Sequence, residues 1–78
     1  MRIYKTDVVE IRKKMAEQRI KTVTELSERS GINRNTLAKV LNEEIQPSSD
    51  VMEKLVFCLK MKPYEAGAIF FKLNLHDA

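Results

Sequence analysis

Three polar side chains in the middle of the chain, Arg34, Asn35 and Lys39, are spaced to share the outward face of a short helix. Lys39 follows Asn35 by one helical turn, and Arg34 lies beside Asn35. A guanidinium can donate two parallel hydrogen bonds to guanine, a carboxamide can pair with adenine, and an ammonium can reach a base or a phosphate. This face is therefore polar, basic and able to read base edges of double-stranded DNA.

Other chemistry has little support in the sequence. An ordinary solvated helix face is the alternative for the three residues, because exposed helix positions are usually polar. An enzyme is not expected, since there is no glycine-rich phosphate loop, no cluster of metal ligands and no plausible triad. Cys58 would need an activating base, but the single histidine, His76, lies near a chain end. Cys58 is expected to be a buried structural thiol and His76 a tail residue, with no metal and no cofactor.

Two short helices joined by a tight turn, over residues 22–42, would position this face. Thr22 is expected to cap a helix of residues 23–30 by accepting from the N–H of Glu25, while Glu25 reaches back to the N–H of Thr22. Gly31 ends that helix because it takes a positive φ at no steric cost. Asn33 then caps a helix of residues 34–42. The residues placed to hold the two helices together are Leu26, Ile32, Leu37, Ala38 and Val40.

A Thr-x-x-Glu-Leu-Ser start, a Gly-Ile-Asn turn, a Thr-Leu-x-x-Val helix and a following Pro-Ser resemble the lambda-repressor/Cro (Xre-type) helix-turn-helix family. The resemblance covers roughly residues 8–71 and is to small Cro-like phage or mobile-element regulators. It implies an all-α, five-helix DNA-binding domain with base contacts from the three outward residues of the second helix in the pair. It also implies contacts to the DNA backbone or groove edge from Thr22, Val23, Asn33 and Thr36.

One departure from the family pattern involves two positions. Family members often pair an arginine in the first helix with a glutamate near the end of the third, and Ala16 and Leu41 occupy these places. Removing one partner would leave a buried charge at a cost of roughly 3–5 kcal/mol, whereas replacing both can be neutral. The joint change therefore predicts that Ala16 and Leu41 contact each other.

A second departure lies in the loop after the third helix. Glu43 stands where the family often has a capping glycine, so Asn42 is expected to take the left-handed conformation. Glu44 and Ile45 replace basic residues that often touch phosphates. The loop is therefore expected to add little to DNA affinity or to face away.

Length and charge permit a small DNA-binding protein. The 78 residues, with a net charge of +3, predict one domain over residues 1–78. Residues 1–41 carry ten Lys/Arg against five Asp/Glu, whereas residues 42–78 carry four against six, so the basic half contains the turn. One cysteine excludes an internal disulfide. No apolar run approaches the roughly 18 residues of a membrane span and no signal peptide is evident, so a cytoplasmic protein without a membrane partner is expected.

Three further helices are expected over residues 7–19, 49–60 and 63–71. Thr6 or Asp7 would cap the first, Ser48 the fourth, and Pro63 would begin the fifth because proline suits the first helical position. Both chain ends alternate apolar and polar residues. Residues 1–5 could be a brief strand or a disordered basic arm, and the two ends could form a two-stranded ribbon within one chain or between chains.

Large apolar residues in the second half exceed the obvious needs of so small a core: Phe57, Phe70, Phe71, Leu73 and Leu75. They either complete the core or form a homodimer surface through Phe57, Phe70, Phe71 and the C-terminal tail. The sequence is interpreted as a Cro-like repressor that occupies an operator, with two half-sites about 34–36 Å apart for a dimer. The alternative is an interaction module on the same scaffold that binds or sequesters another repressor. The acidic loop and apolar tail favour that alternative, while the basic first half favours DNA.

Overall fold

Five short helices and one small strand pair make up the fold. The computed structural model describes residues 3–74. The elements in chain order are β1 (Tyr4–Lys5), α1 (Val8–Glu17), α2 (Val23–Ser30), α3 (Arg34–Leu41), α4 (Ser49–Cys58), α5 (Pro63–Phe70) and β2 (Lys72–Leu73). This confirms the all-α, five-helix architecture with short strands at the two ends. Among the described residues no helix has the length and apolar character to cross a membrane.

The helices start where local capping chemistry places them. The side chain of Asp7 accepts from the N–H of Glu10 at the start of α1, and that of Ser48 accepts from the N–H of Val51 at the start of α4. Pro63 is the first residue of α5. α1 and α4 end two residues before the expected limits, and α3 and α5 end one residue before them.

The end of α3 corrects one expectation. Asn42 has φ −91° and its N–H still bonds to the carbonyl of Ala38, whereas Glu43 takes the left-handed φ of 61°. The N–H of Glu43 bonds to Val40 O at 3.1 Å and that of Glu44 bonds to Lys39 O at 2.8 Å. This pair of bonds is a Schellman motif, which requires the left-handed residue one place beyond the C-cap. The prediction for Asn42 was therefore wrong because Asn42 is itself the C-cap, and the left-handed residue of this motif is the next one, Glu43.

The core is built from all five helices. Burying each large apolar side chain contributes roughly 1.5–3 kcal/mol, so the core is the main source of stability. Ala16 is exposed while Leu41 is buried, and their contact stays a prediction. The largest fully buried side chains are Phe70, Ile11, Leu26, Leu37, Leu55, Leu59 and Val40.

The two ends of the described chain pair with each other. β1 and β2 are antiparallel, with Tyr4 opposite Leu73, and the N–H of Asn74 donates to the carbonyl of Ile3 at 2.8 Å. The rings of Tyr4 and Phe71 meet edge to face, with centroids 6.0 Å apart. Of the two ribbon alternatives, the pairing within one chain is thus present. Residues 1–2 and 75–78, including the predictions for Leu75 and His76, lie outside the described residues.

A polar network joins the chain start, the loop after α3 and the end of α5. The Thr6 hydroxyl donates to Gln46 Oε1 at 3.1 Å, and Gln46 Nε2 donates to the carbonyl of Phe70 at 2.7 Å. Lys14 on α1 forms a hydrogen-bonded ion pair with Glu65 on α5. These contacts connect the chain start and α1 with α5 and with the loop after α3.

Candidate nucleic-acid interface

The entry to α2 is held by Thr22. Its backbone is extended, and its Oγ1 accepts from the N–H of Glu25 at 3.0 Å. The structure thus shows the Thr22 half of the expected capping exchange. The first N–H groups of a helix have no partner within it and carry partial positive charge, so the start of α2 is a place where a phosphate can be bound.

The bend between α2 and α3 is fixed by Gly31. Its φ is 77°, in the left-handed region, and its N–H bonds to the carbonyl of Ser27 at 2.9 Å. Glycine has no Cβ to oppose this conformation, so the chain leaves α2 sharply. The expected role of Gly31 is confirmed.

Two serine hydroxyls also hold the turn, and the sequence reasoning missed both. Ser27 Oγ donates to the carbonyl of Ile32 at 2.6 Å, and Ser30 Oγ accepts from the N–H of Ile32 at 3.2 Å. Serine readily bonds to nearby backbone groups, so serines four and one residues before the glycine were the available signal. Both bonds fix Ile32, which is buried against the core.

The start of α3 is capped by Asn33, as expected. Its Oδ1 accepts from the N–H of Asn35 at 2.8 Å and from the N–H of Thr36 at 3.3 Å. The side of α3 facing the protein is anchored by Leu37, Val40 and Leu41, which are all buried. The orientation of α3 about its own axis is therefore set by packing on one side and by the cap at its end.

The opposite side of α3 presents the expected residues to solvent. Arg34, Asn35 and Lys39 are all exposed. α3 contains no acidic residue, and within residues 3–74 neither Arg34 nor Lys39 forms an ion pair. The structure therefore brings the three residues together on one open, positively charged face.

The expected backbone-contacting residues lie around this face. Thr22 and Asn33 are exposed, and Val23 and Thr36 are half-buried. Because the caps use the oxygens of Thr22 and Asn33 as acceptors, the hydroxyl hydrogen of Thr22 and the amide hydrogens of Asn33 are left to donate. Both residues can therefore cap a helix and donate to a phosphate at the same time.

Several other cations of the basic half are engaged inside the domain. Lys13 pairs with Glu10 at 3.2 Å, and Arg29 Nη1 donates to the carbonyl of Gln18 at 2.8 Å. Lys14 is held by Glu65, as described above. The net charge of the basic half therefore overstates the number of positive charges that can bind a ligand. The exposed face of α3 indicates the ligand-binding charges better.

Cys58 does not form a reactive centre. It is half-buried, and burial raises the pKa of its thiol despite the opposing effect of the Arg29 charge. The thiol is therefore protonated at neutral pH. No group of side chains in the described part of the chain is arranged to bind a metal ion.

The expected dimer surface needs one correction. Phe70 is 1% exposed and belongs to the core, so it cannot form a surface for a partner. Phe57, at 88% exposed, and Phe71, at 52%, do not complete the core. Phe70 faces inward because it closes α5 against the other helices, whereas its neighbour Phe71 follows the helix end and faces the ribbon.

Comparison with known proteins agrees with this geometry. A family model described as the Cro/C1-type HTH DNA-binding domain matches residues 10–66, a range that contains α2, the turn and α3. No match was found among curated proteins or among solved structures. The chain belongs to the Cro/C1-type helix-turn-helix DNA-binding domain family.

Proposed function

We propose that this DNA-binding domain is a Cro-like transcriptional repressor that acts by occupying an operator in cytoplasmic DNA. The observation that carries the proposal is the exposed, acid-free face of α3, on which Arg34, Asn35 and Lys39 stand together. A bound protein that covers a promoter excludes polymerase without any catalytic step. No cofactor is needed.

In this mechanism α3 lies in the major groove. Arg34 donates to guanine, Asn35 pairs with adenine, and Lys39 reaches a base or a phosphate. Thr22 and Asn33 donate to phosphates on either side, and Val23 and Thr36 meet the sugar-phosphate edge. Phosphate contacts fix the register of the helix, while the base contacts supply sequence preference.

The acidic loop is expected to stay out of the interface. Glu43, Glu44 and Ile45 are exposed in the connection between α3 and α4. A carboxylate beside a phosphate is repelled, so this connection adds little to affinity. Stable binding therefore favours two copies of the domain on adjacent half-sites, about one helical turn apart.

Selection from a random duplex library at two salt concentrations tests the proposal. Enrichment of a symmetric motif is expected, and its affinity should fall with salt because bound phosphates release counterions. Asn35→Ala should relax preference at one position of the motif, whereas Glu28→Ala, at an exposed position on α2, should not.

A second candidate function has one observation in its favour. The side chains of Phe57 and Phe71 are exposed on the part of the domain that carries no proposed DNA contact. Such a surface would suit a modulator that binds or sequesters another repressor. An absence of any enriched DNA, together with a tight complex with another regulator, would favour this function over the first.

A further inference from the structure

A hollow lies where α1 ends and the chain enters α2. It has a volume of ≈ 490 Å³, and it is lined by cationic and apolar side chains: Arg12, Met15, Ala16, Arg19, Ile20 and Lys21. We call this feature the α1–α2 hollow. Met15 and Ile20, at 4% and 3% exposed, belong to the core and form its buried base. None of the described residues that line the hollow is acidic, so its charge is positive throughout.

The cations of the α1–α2 hollow have no counterion within the described part of the domain. α1 contains two acidic residues, Glu10 and Glu17, which pair with Lys13 at 3.2 Å and with Lys14 at 3.5 Å. The exposed cations that line the hollow form no ion pair with any residue in the range 3–74: Arg12, Arg19 and Lys21. The acidic groups of α1 are therefore engaged elsewhere, and the positive charges of the hollow can bind an anion from outside.

Arg19 occupies a backbone position that glycine usually takes. Its φ is 59°, its N–H bonds to the carbonyl of Ala16 at 3.0 Å, and the N–H of Ile20 bonds to the carbonyl of Met15 at 2.8 Å. These two bonds form a Schellman motif with Arg19 as its left-handed residue. A residue with a Cβ is less stable than glycine in this conformation. Helix termination therefore gives no reason for an arginine at this position.

The α1–α2 hollow is continuous with the proposed DNA interface. Lys21 directly precedes Thr22, which caps α2 and whose hydroxyl hydrogen is left to donate to a phosphate. The first N–H groups of α2 add partial positive charge at the same place. Each DNA strand carries one negative charge per about 3.4 Å of helix axis. A strand that reaches Thr22 therefore presents further phosphates to the neighbouring cations.

We infer that the α1–α2 hollow binds the DNA backbone beside the phosphate at Thr22, with Arg12, Arg19 and Lys21 donating to phosphate oxygens. A guanidinium can bind a phosphate through two parallel hydrogen bonds, and lysine binds it as a point charge. The small side chain of Ala16 leaves room for the phosphate between the cations. An acidic peptide would meet the same charges, but continuity with the start of α2 favours DNA. The inference rests on the proposed function and extends the backbone contact from α2 to α1.

Two glycine variants with the same change in charge and backbone strain test the inference. Arg19→Gly and Lys60→Gly each remove one positive charge from a left-handed residue, so both should raise the melting temperature. Only Arg19→Gly should weaken binding to the DNA selected by the wild-type protein, by roughly 3- to 10-fold at about 0.1 M salt. It should also reduce the slope of log affinity against log salt concentration by about 0.9. Arg12→Gln and Lys21→Gln should act in the same way on all sequences.

Neutral linkages in the DNA backbone locate the contact. A methylphosphonate placed at successive positions of the selected duplex removes the charge of one phosphate at a time. At one or two positions it should weaken binding of the wild-type protein several-fold and leave binding of Arg19→Gly almost unchanged. These positions should differ from the one at which Thr22→Ala becomes insensitive, because the two residues contact different phosphates.

A carboxylate placed in the hollow gives an independent test. Ala16→Glu should weaken DNA binding by roughly tenfold or more, since it repels the phosphate. Ala68→Glu, at an exposed position on α5, adds the same charge and should have little effect.

Three results would overturn the inference and leave the proposed function standing. They are wild-type DNA selection with an Arg19→Gly affinity and salt slope equal to those of Lys60→Gly, an identical response of wild type and Arg19→Gly to every neutral linkage, and equal effects of Ala16→Glu and Ala68→Glu. A wild-type protein that selects no DNA would overturn the proposed function together with this inference.

Discussion

The backbone N–H of Asn35 donates to Oδ1 of Asn33 over 2.8 Å, so the cap of α3 directly holds a residue of the proposed base-reading face. The acceptor oxygen of Asn33 is used within the protein, and its amide hydrogens are left for an outside acceptor. Helix stability and DNA contact therefore depend on different atoms of one side chain, which allows the two roles to be separated by substitution.

Asn33→Asp should weaken DNA binding without weakening the fold. A carboxylate can accept the same two backbone N–H groups and is favoured at a helix N-terminus, so the unfolding free energy should stay within about 0.5 kcal/mol of wild type. The variant loses the amide donor and repels phosphates. A drop in affinity of roughly tenfold is expected for all sequences alike, as for other phosphate contacts. Urea denaturation and a DNA titration measure the two effects.

Asn33→Ser is the matched control for this change. Serine keeps a cap acceptor and a hydroxyl donor, so both stability and affinity should remain close to wild type. If Asn33→Asp binds DNA as tightly as Asn33→Ser does, Asn33 does not face a phosphate.

Two residues with a left-handed backbone conformation, Gly31 and Lys60, should give stability changes of opposite sign when they are substituted. Gly31 has φ 77° and Lys60 has φ 53°. Gly31→Ala should destabilise the protein by about 1 kcal/mol, because a Cβ is disfavoured there. Lys60→Gly should stabilise it by about 0.5–1 kcal/mol, because the strain is relieved at some cost in unfolded-state entropy. Thermal unfolding at low protein concentration compares them, and equal signs for the two variants would contradict this reading of the helix ends.

The Lys14–Glu65 pair predicts a pH dependence of stability. The hydrogen bond from Lys14, and next to it that from the backbone N–H of Lys62, lower the pKa of Glu65 below its usual 4.5. The hydrogen bond to Glu65 raises the pKa of Lys14 above 10.5. A carboxylate with a lowered pKa stabilises the fold above pH 4.5, and this contribution is lost as the pH falls through its folded-state pKa. The lysine contribution is present below pH 10.5 and is lost as the pH rises through its raised pKa.

Glu65→Gln should therefore flatten the decline of the unfolding free energy at both the acid and the alkaline end. Urea denaturation from about pH 3 to pH 11 measures this. Glu28→Gln, at an exposed position on α2, should leave the profile near that of wild type. A Glu65→Gln profile that follows wild type at both ends would mean that the pair adds nothing to stability.

Gln46 should contribute more to the stability of the fold than most loop residues do. Its side chain connects the Thr6 hydroxyl with the carbonyl of Phe70, and both bonds are partly buried. Gln46→Ala leaves both groups without this partner, so a loss of roughly 1–3 kcal/mol is expected in urea denaturation. Gln18→Ala, at a half-buried position at the end of α1, should cost less than about 0.5 kcal/mol. Equal losses for the two variants would show that the Gln46 bonds are not specific.

The features that could be predicted from the sequence are those that depend on interactions between residues close together in the chain. The caps at Thr22, Asn33 and Ser48 and the bend at Gly31 depend on groups within a few residues of each other, so their residue types predict them. The exposed face of α3 follows from the same periodicity that buries Leu37.

Features that join distant parts of the chain could not be read in this way. Lys14 and Glu65 are 51 residues apart, and the Gln46 bonds depend on how the loop meets α5. Phe70 and Phe71 are adjacent and chemically identical, so only the end of α5 decides which one is buried. The left-handed turn at Glu43 was missed because residue preference favoured Asn42, whereas the register of the helix determines the position.

Affinity of the Arg34→Ala variant for the DNA selected by the wild-type protein tests the central claim most directly. Loss of the guanidinium should cost roughly 1–3 kcal/mol, about 5- to 150-fold in dissociation constant, and should relax preference at one base pair only. Because Arg34 is exposed and forms no ion pair among residues 3–74, the fold should be unaffected. An unchanged affinity and an unchanged preference would show that this face of α3 does not read DNA.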